Sequence, residues 1–248
     1  MHEKCTRRGF NNEDLTSFSE TRITTLNKAS EEICFMLDRG YDSKSLVTFI
    51  GNHYQLTARQ RLALQRSCCS TIEFKTRIFK LIDNNFLCLN KYDRLINIDG
   101  FNTIITLEVA LSNGTLLQCR DTSIKDLAGL RGTYKLIDKT SKAIQLIASA
   151  LKDLNFNEAE FYLDEPISNS INLKLAIIDI FNKVNMPVKV HVVPNPDNIL
   201  KNMDYVATSD SIILDNCISW VNLTSYIIDK YISNISLISF NLSEPPNP

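Results

Sequence analysis

Aspartates stand at the ends of several short apolar runs in the C-terminal part of the sequence, where carboxylates could hold metal ions. Asp99, Asp121, Asp164 and Asp210 each close such a run, and Asp215 follows the last of them. If the runs are parallel strands, their carboxyl ends share one edge of a sheet and the acids converge. A cluster of carboxylates without basic partners is unfavourable unless a cation neutralises it, and oxygen ligands suit Mg²⁺ or Mn²⁺. Two such ions about 4 Å apart would activate water and stabilise the leaving oxygen in phosphodiester hydrolysis.

Aspartate also ends strands for a simpler reason, because it favours turns, and the strand order is only inferred. Side chains five residues apart do not share a helix face, so Asp210 and Asp215 converge only if Asp210 precedes the helix. With that condition, we expect Asp99, Asp164 and Asp210 to be catalytic metal ligands. Asp215 is a further candidate ligand.

The segment around Asp99 is typical of a strand that ends abruptly. Residues 95–98 form a short, mostly apolar run, and Asp99 and Gly100 follow it directly. Glycine lets the backbone turn sharply or approach a ligand closely. Asn102 lies at the predicted start of a helix, where its amide could cap the helix or hold a neighbouring carboxylate.

The elements that must position these residues alternate between strands and helices. Strands are predicted at 94–98, 115–119, 159–163, 188–193, 205–208 and 235–240, and helices at 103–112, 140–153, 171–184, 211–218 and 223–231. Such alternation indicates βαβ units, so residues 91–240 are expected to form an α/β domain with a mostly parallel sheet and helices on both faces. The tail 243–248 has the composition of a disordered linker.

An all-helical block is predicted before this domain, over residues 15–90. Helices are expected at 22–39, 43–50, 58–68 and 71–82, because apolar residues recur at helical spacing and capping boxes open the last two. Gly40 and Gly51 are placed to end the first two helices. The polar residues 1–14 are expected to be loosely held.

Basic side chains concentrate on the third and fourth predicted helices. They are Arg59, Arg61, Arg66, Lys75, Arg77 and Lys80, and only Glu73 opposes them. Basic residues on one face form an electrostatic footprint for a phosphate backbone, so Arg59, Arg61 and Arg66 are predicted to contact RNA. The alternative is a solvated helix face, or arginines that pair with acids elsewhere in the fold.

A second candidate binding surface is the glycine-punctuated segment 120–135, on the same side as the acids. Arg120, Lys125 and Arg131 could hold phosphates there, and Tyr134 could stack on a base. Long loops at the carboxyl edge of a sheet commonly bind ligands. An ordinary polar surface loop is the alternative.

Composition limits the class of protein. The 248 residues have a formal net charge of -1, with 44% hydrophobic and 22% charged residues, as in an ordinary soluble globular protein. No apolar run approaches the ~20 residues of a membrane helix, and no apolar core follows the charged N-terminus, so neither a membrane span nor a signal peptide is expected. The seven cysteines form no C-x-x-C pair, which favours reduced thiols in a cytoplasm.

Two short motifs resemble those of a known nuclease superfamily. Residues 98–102, Ile-Asp-Gly-Phe-Asn, resemble the opening Asp-Gly-x-Asn of NYN domains, which are PIN-like nucleases. Residues 207–210, Ala-Thr-Ser-Asp, resemble the later Thr-x-Asp of that superfamily. The resemblance extends over roughly 94–220 and implies a PIN-like fold and activity.

By this resemblance, Asp99 and Asp210 would bind metal, and Asn102 would support Asp99. The usual paired acid just after the fourth strand is absent from the sequence. Asp164 and Asp215 are our candidates for the remaining acids.

Most of the chain also resembles an uncharacterised prokaryotic family, one of the domains of unknown function. The matching blocks are 37–41, 47–54, 59–61, 98–108, 120–121, 126–129 and 207–215.

The acidic residues, the basic surfaces and the resemblance to PIN-like nucleases together predict a divalent-metal-dependent nuclease acting on RNA. The alternatives are a non-catalytic RNA-binding module and a metal-dependent phosphatase or phosphotransferase that acts on a small substrate.

Overall fold

The computed structural model describes residues 6–90, 92–129, 132–240 and 242. The predicted disordered tail 243–248 and the predicted phosphate contact Arg131 lie outside the described residues. The polarity of residues 1–14 predicted a loosely held segment, and this is wrong for residues 6–14. Arg8 is buried there and pairs with the buried carboxylate of Glu108.

Six helices precede the first strand within the described residues. They are α1 (Glu13–Ser17), α2 (Glu20–Leu37), α3 (Ser43–His53), α4 (Ala58–Ser67), α5 (Thr71–Lys80) and α6 (Asn84–Leu89). The predicted capping boxes open α4 and α5, and Gly40 takes a φ of +82° after α2, as expected. Gly51 does not end α3. It lies inside the helix, where a Cβ atom would be 2.8 Å from Arg61 Nε, so this glycine makes room for α4.

Four parallel strands form the sheet that positions the predicted ligands. Their order is β5 (Val188–Val193), β4 (Glu158–Asp164), β1 (Leu95–Asp99) and β6 (Val206–Ala207). The helices that follow the first strand are α7 (Gly100–Leu111), α8 (Thr140–Asp153), α9 (Ser170–Lys183), α10 (Pro196–Leu200), α11 (Ser211–Asn216) and α12 (Leu223–Tyr231). The predicted α/β architecture is confirmed for this sheet and its helices.

Three strands form a second sheet, which corrects the expectation of one sheet. It consists of β3 (Ile124–Asp126), β2 (Thr115–Gln118) and β7 (Ser236–Ser239), with β2 antiparallel to β3 and parallel to β7. β3 was absent from the predicted strands because it has only three residues. The chain turns back after β2, and β3 pairs with it as an antiparallel neighbour. In the parallel sheet, β4 lies beside β1.

Helices cover both faces of the parallel sheet. On one face, α7, α8, α9 and α12 pack on Ile96, Ile98 and Phe161 in the largest hydrophobic core. On the other face, α10 and α11 pack around Tyr162 and Trp220. No helix in the described part of the chain has both the length and the apolar character needed to cross a membrane.

The N-terminal helices share a core with the second sheet. Leu26, Ile33 and Leu64 from this block pack with Leu117 of β2 and with Phe240 after β7. Burial of these side chains holds the helical block in place and brings α4 next to the carboxyl edge of the parallel sheet.

Candidate functional site

Five aspartates line one open cavity of about 600 Å³ at the carboxyl edge of the parallel sheet. One of them, Asp126 of β3, lies 3.8 Å from Arg66. The other four each follow a different strand of the parallel sheet: Asp99 and Asp164 close β1 and β4, Asp197 lies in α10 after β5, and Asp210 follows β6. The structure therefore places all three predicted catalytic ligands at the same cavity.

Gly100 lies in a confined space directly after Asp99. α7 begins directly at Gly100, where a Cβ atom would lie 2.4 Å from Leu163 Cδ2 and 3.1 Å from the Tyr162 carbonyl oxygen. A larger residue at this position would force the Leu163 side chain or the start of α7 to shift. Since Asp99 is paired with Tyr162, strand alternation places the side chains of Asp99 and Asp164 on the same face.

Hydrogen bonds join the segment after β6 to the start of α7. Thr208 Oγ1 donates to Asp99 Oδ2 at 2.8 Å, and Ser209 donates to Asn102 Oδ1 through its N–H at 2.9 Å and its hydroxyl at 3.0 Å. The sequence suggested that Asn102 caps α7 or holds Asp99. It does neither, because it lies in the first turn of α7 and its side chain binds Ser209. Its support of the site is indirect, through the turn that leads to Asp210.

Asp210 precedes α11, which is the condition for its convergence with Asp99. It is the N-cap residue, and its Oδ1 accepts hydrogen bonds from the N–H groups of Ile212 at 2.8 Å and Ile213 at 3.4 Å. The carboxylate is thereby fixed at the cavity end of the helix. Asp215 lies near the other end of α11.

Asp197 is a cavity residue that the sequence analysis missed. It stands in the first turn of α10, which Asn195 caps by accepting a hydrogen bond from the Asn198 N–H at 3.2 Å. The signal was present in residues 193–197, Val-Pro-Asn-Pro-Asp, because an Asx-Pro pair after a strand commonly starts a helix. A helix of five residues has too few apolar positions to show a period.

The carboxylates of the cavity destabilise one another's charge. Burial, together with the charges of Asp210, Asp197 and Asp164, raises the pKa of Asp99 to about 8, although the Thr208 hydrogen bond opposes this shift. Burial and the charge of Asp197 raise the pKa of Asp164, and burial and the charge of Asp210 raise that of Asp197. Within the described residues, none of the four forms an ion pair. The cavity is therefore suited to a cation.

Two basic side chains line the same cavity. Lys125 of β3 donates from Nζ to Ser211 Oγ at 2.8 Å, and Arg66 of α4 donates to the carbonyl oxygen of Asp126. Arg66 is also 3.8 Å from the Asp126 carboxylate. These predicted phosphate contacts lie where they could reach a ligand beside the acids.

Asp121 and Asp215 do not join the acidic cavity. Both bind the buried Arg77 of α5, which donates to Asp215 Oδ1 and to Asp121 Oδ2, each at 2.7 Å. The candidate role of Asp215 as a metal ligand is therefore not supported by its position. Asp121 belongs to the turn between β2 and β3 in the second sheet, so its strand does not end beside β1.

The arginines predicted to contact RNA differ in their surroundings. Arg59 donates to both carboxylate oxygens of Asp14 at 2.7 Å. Arg61 donates to the Leu56 carbonyl oxygen and to Asn52 Oδ1, each at 2.9 Å. Both side chains hold helices of the N-terminal block together, which corrects their assignment to an RNA surface. Arg66 alone of the three lines the cavity.

Two further predicted contacts have structural roles. Arg120 Nη1 donates to the Cys69 carbonyl oxygen at 2.7 Å and so ties the end of β2 to the segment before α5. Tyr134 is only 1% exposed and donates to Glu108 Oε1 at 2.9 Å. It cannot stack on a base as predicted, because its ring is enclosed in the main core.

The donor set of the cavity, rather than a finished coordination sphere, indicates the type of cation. Its ionisable ligands are carboxylates, and hard cations such as Mg²⁺ and Mn²⁺ prefer such oxygens. Across the described residues, no three histidine, cysteine, aspartate or glutamate side chains are already arranged around one metal position. Repulsion between the carboxylates favours their separation when no cation is bound.

Comparison with known proteins assigns the chain to a family. Residues 90–226 match a domain of unknown function, DUF5616, and residues 25–80 match a protein family of unknown function, DUF434. An uncharacterized protein from Methanocaldococcus jannaschii is 33% identical over 193 residues, which are 77% of this chain and 89% of that protein. No solved structure matches the chain. Because the first match extends over more than half of the sequence, the chain belongs to the DUF5616 family.

Proposed function

We propose that this protein is a divalent-metal-dependent nuclease that hydrolyses phosphodiester bonds of RNA. The proposal rests on one observation: four aspartates from the ends of four parallel strands line one cavity and have no ion-pair partner among the described residues. Carboxylates in this arrangement repel one another, and a divalent cation would relieve the repulsion. The proposed nuclease domain is PIN-like and extends over residues 91–240, after a helical domain at 15–90.

Asp99, Asp164, Asp197 and Asp210 would hold Mg²⁺ or Mn²⁺ in this proposal. When bound, such a cation supplies positive charge to the phosphodiester group and lowers the pKa of water. The Thr208 hydroxyl orients Asp99, and the Asn102 amide fixes the turn that presents Asp210. Asp99 would lose its proton on cation binding, because burial raises its pKa to about 8 in the metal-free protein.

Lys125 and Arg66 would hold the phosphates that flank the scissile bond. Both line the cavity from outside the acidic cluster, on β3 and α4. The Lys125 ammonium donates to the Ser211 hydroxyl, and its charge also lowers the pKa of the buried Asp121. It forms no ion pair within 4 Å among the described residues, so its remaining N–H donors can bind an anion beside the acids. The helical block would thus take part in substrate binding through Arg66 of α4.

The test is a cleavage assay on short single-stranded and duplex RNA and DNA, with Mg²⁺, Mn²⁺ or EDTA. We expect metal-dependent cleavage of RNA that falls by about a hundredfold or more in Asp99→Asn, as for loss of a group that acts in the transition state. Asp179→Asn is the matched control, because that aspartate is exposed on α9 and pairs with Lys183 at the surface, away from the cavity. Its activity should equal that of wild type.

Other results would assign a different function. RNA binding without cleavage at any metal concentration would favour the non-catalytic RNA-binding module. A protein that neither binds nor cleaves these nucleic acids would exclude both functions. The free thiols of the described cysteines agree with a cytoplasmic location, which we propose with this activity.

A further inference from the structure

The outer face of α5 is apolar, although the sequence suggests a basic surface there. Ile72 and Phe79 are 77% and 91% exposed, and Lys75 lies between them on the same face, at positions i, i+3 and i+7. The cationic side chains Arg77 and Lys80 point inward and bind Asp215 of α11. Large apolar side chains exposed in a row mark an interaction site more often than a free surface.

A complementary apolar groove lies between α2 and α3. Leu46 and Ile50 are buried at its base, and Phe35 and Phe49, 56% and 72% exposed, line it. The groove has a volume of about 480 Å³. Such a groove between two helices accepts a helix that presents apolar side chains spaced by one or two turns.

The charges of the two surfaces are also complementary. Glu31 and Glu32 line the groove, and neither has a cationic partner among the described residues. Glu32 instead accepts a hydrogen bond from Tyr54 Oη at 2.7 Å. Lys75 is exposed on α5 and likewise has no acidic partner in the described part of the chain. Opposite charges at such positions select the partner and its orientation.

The end of α2, which borders the groove, contacts the start of α5. Asp38, directly after α2, accepts a hydrogen bond from Thr71 Oγ1 at 2.8 Å, and Thr71 is the first residue of α5. A surface that contains both a ridge and a groove can pair with its own copy about a two-fold axis. Each ridge then meets the partner's groove, and the interface contains two equal contacts.

We propose that the protein forms a two-fold symmetric dimer in which the α5 ridge of each copy, Ile72 to Phe79, occupies the α2–α3 groove of the other. Phe79 is the largest apolar anchor of the ridge, and Lys75 pairs with Glu31 and Glu32 of the second copy. This inference is independent of the proposed nuclease activity, because none of these residues lines the acidic cavity.

The test measures the oligomeric state of the full chain by sedimentation velocity over a concentration series. Wild type should be a dimer, and Phe79→Ser should weaken the dimer by about tenfold or more, as at other aromatic anchors. Leu175→Ser is the matched control, because Leu175 is 60% exposed on α9, away from both surfaces. It should dimerise as wild type does.

Charge reversal tests the geometry itself. Two charge variants are made: Lys75→Glu, and a double variant with Glu31→Lys and Glu32→Lys. Each variant by itself should be mainly monomeric, because its homodimer would have two repulsive contacts. An equimolar mixture of the two proteins should dimerise, since both contacts of the mixed pair join opposite charges. Lys142→Glu, on the exposed face of α8, is the control for charge alone.

Melting curves of each variant would show that the fold is retained, since every altered side chain except Glu32 is free of hydrogen bonds to described residues. A wild type that remains monomeric up to roughly 100 μM would overturn the proposal. So would a dimer that Phe79→Ser and both charge variants leave intact, because its interface would then lie elsewhere.

Discussion

Two groups of aspartates in the α/β part of the chain differ in whether a cationic side chain pairs with them. Asp99, Asp164, Asp197 and Asp210 share an open cavity without ion pairs among the described residues. Asp121 and Asp215 share one buried arginine, Arg77. Sequence alone predicts all of these except Asp197 to belong to one cluster.

The difference shows that the partner, not burial, decides the charge of a buried aspartate here. Asp99 and Asp121 are both almost fully buried. Burial and neighbouring carboxylates raise the pKa of Asp99 to about 8. Burial also acts to raise the pKa of Asp121, but Lys125 and Arg77 outweigh it and hold that pKa below its ordinary value. The Arg77 group therefore stabilises the fold, whereas the cavity group is available for a cation.

The largest change in stability is expected when Asp121 and Asp215 lose Arg77. Arg77→Met keeps the side-chain length but leaves Asp121 buried without the arginine that binds it directly, so the free energy of unfolding should fall by about 3–5 kcal/mol. Urea unfolding at pH 7 measures this loss. Arg22→Met, at an exposed position on α2, should change stability little. A small effect at Arg77 would remove the contrast between the two groups.

Asp99→Asn should have the opposite sign. The pKa of Asp99 is about 8 in the fold and near 3.8 in the unfolded chain. The protonated carboxyl thus stabilises the fold fully below about pH 4, and this contribution is lost as the pH rises toward 8. In EDTA, Asp99→Asn should therefore gain stability over wild type with rising pH, on the order of a few kcal/mol at about pH 9.

The check is a pair of unfolding curves for wild type and Asp99→Asn at acidic, neutral and alkaline pH. A difference between the two proteins that does not change with pH would show that Asp99 is not held in the protonated form. A difference that shrinks as the pH rises would contradict the sign of the shift.

The smallest effect is expected for Asp215→Asn. Its side chain is 33% exposed, and an amide oxygen can still accept the Arg77 hydrogen bond. We expect a loss of about 0.5–1 kcal/mol, as for a partly exposed ion pair, and no change in Mn²⁺ affinity. Isothermal titration with Mn²⁺ measures the affinity. A clear loss of Mn²⁺ binding would return Asp215 to the metal ligands that the sequence suggests.

Local signals in the sequence identify most of the elements that position the site. The apolar run before Asp99 and Gly100 predicts β1 and a helix after it, although α7 begins at Gly100 and not at 103 as predicted. At Gly100 the chain passes close to Leu163 of β4. The capping boxes at Thr57 and Ser70 likewise predict α4 and α5. These features succeed because the residues that form each element are close in sequence.

Long-range partners are the part that the sequence does not reveal. Arg59 and Asp14 are 45 positions apart, and Arg77 and Asp215 are 138 apart, so no local pattern shows that these charges neutralise each other. Strand order also depends on contacts between residues far apart in the sequence. β2 belongs to the second sheet and pairs there with β7, which lies far along the chain. Basic residues that seem unpaired in the sequence, such as Arg59 and Arg77, therefore bind acidic side chains within the fold.

The central claim is that Asp99, Asp164, Asp197 and Asp210 form a cation site. Melting curves of wild type and Asp99→Asn, each in EDTA and in increasing Mn²⁺, test it most directly. We expect Mn²⁺ to stabilise wild type by about 2.7 kcal/mol at a hundred times its dissociation constant, and to stabilise Asp99→Asn far less at the same concentration. A wild type whose melting temperature does not change with Mn²⁺, or an Asp99→Asn protein that responds equally, would contradict the claim.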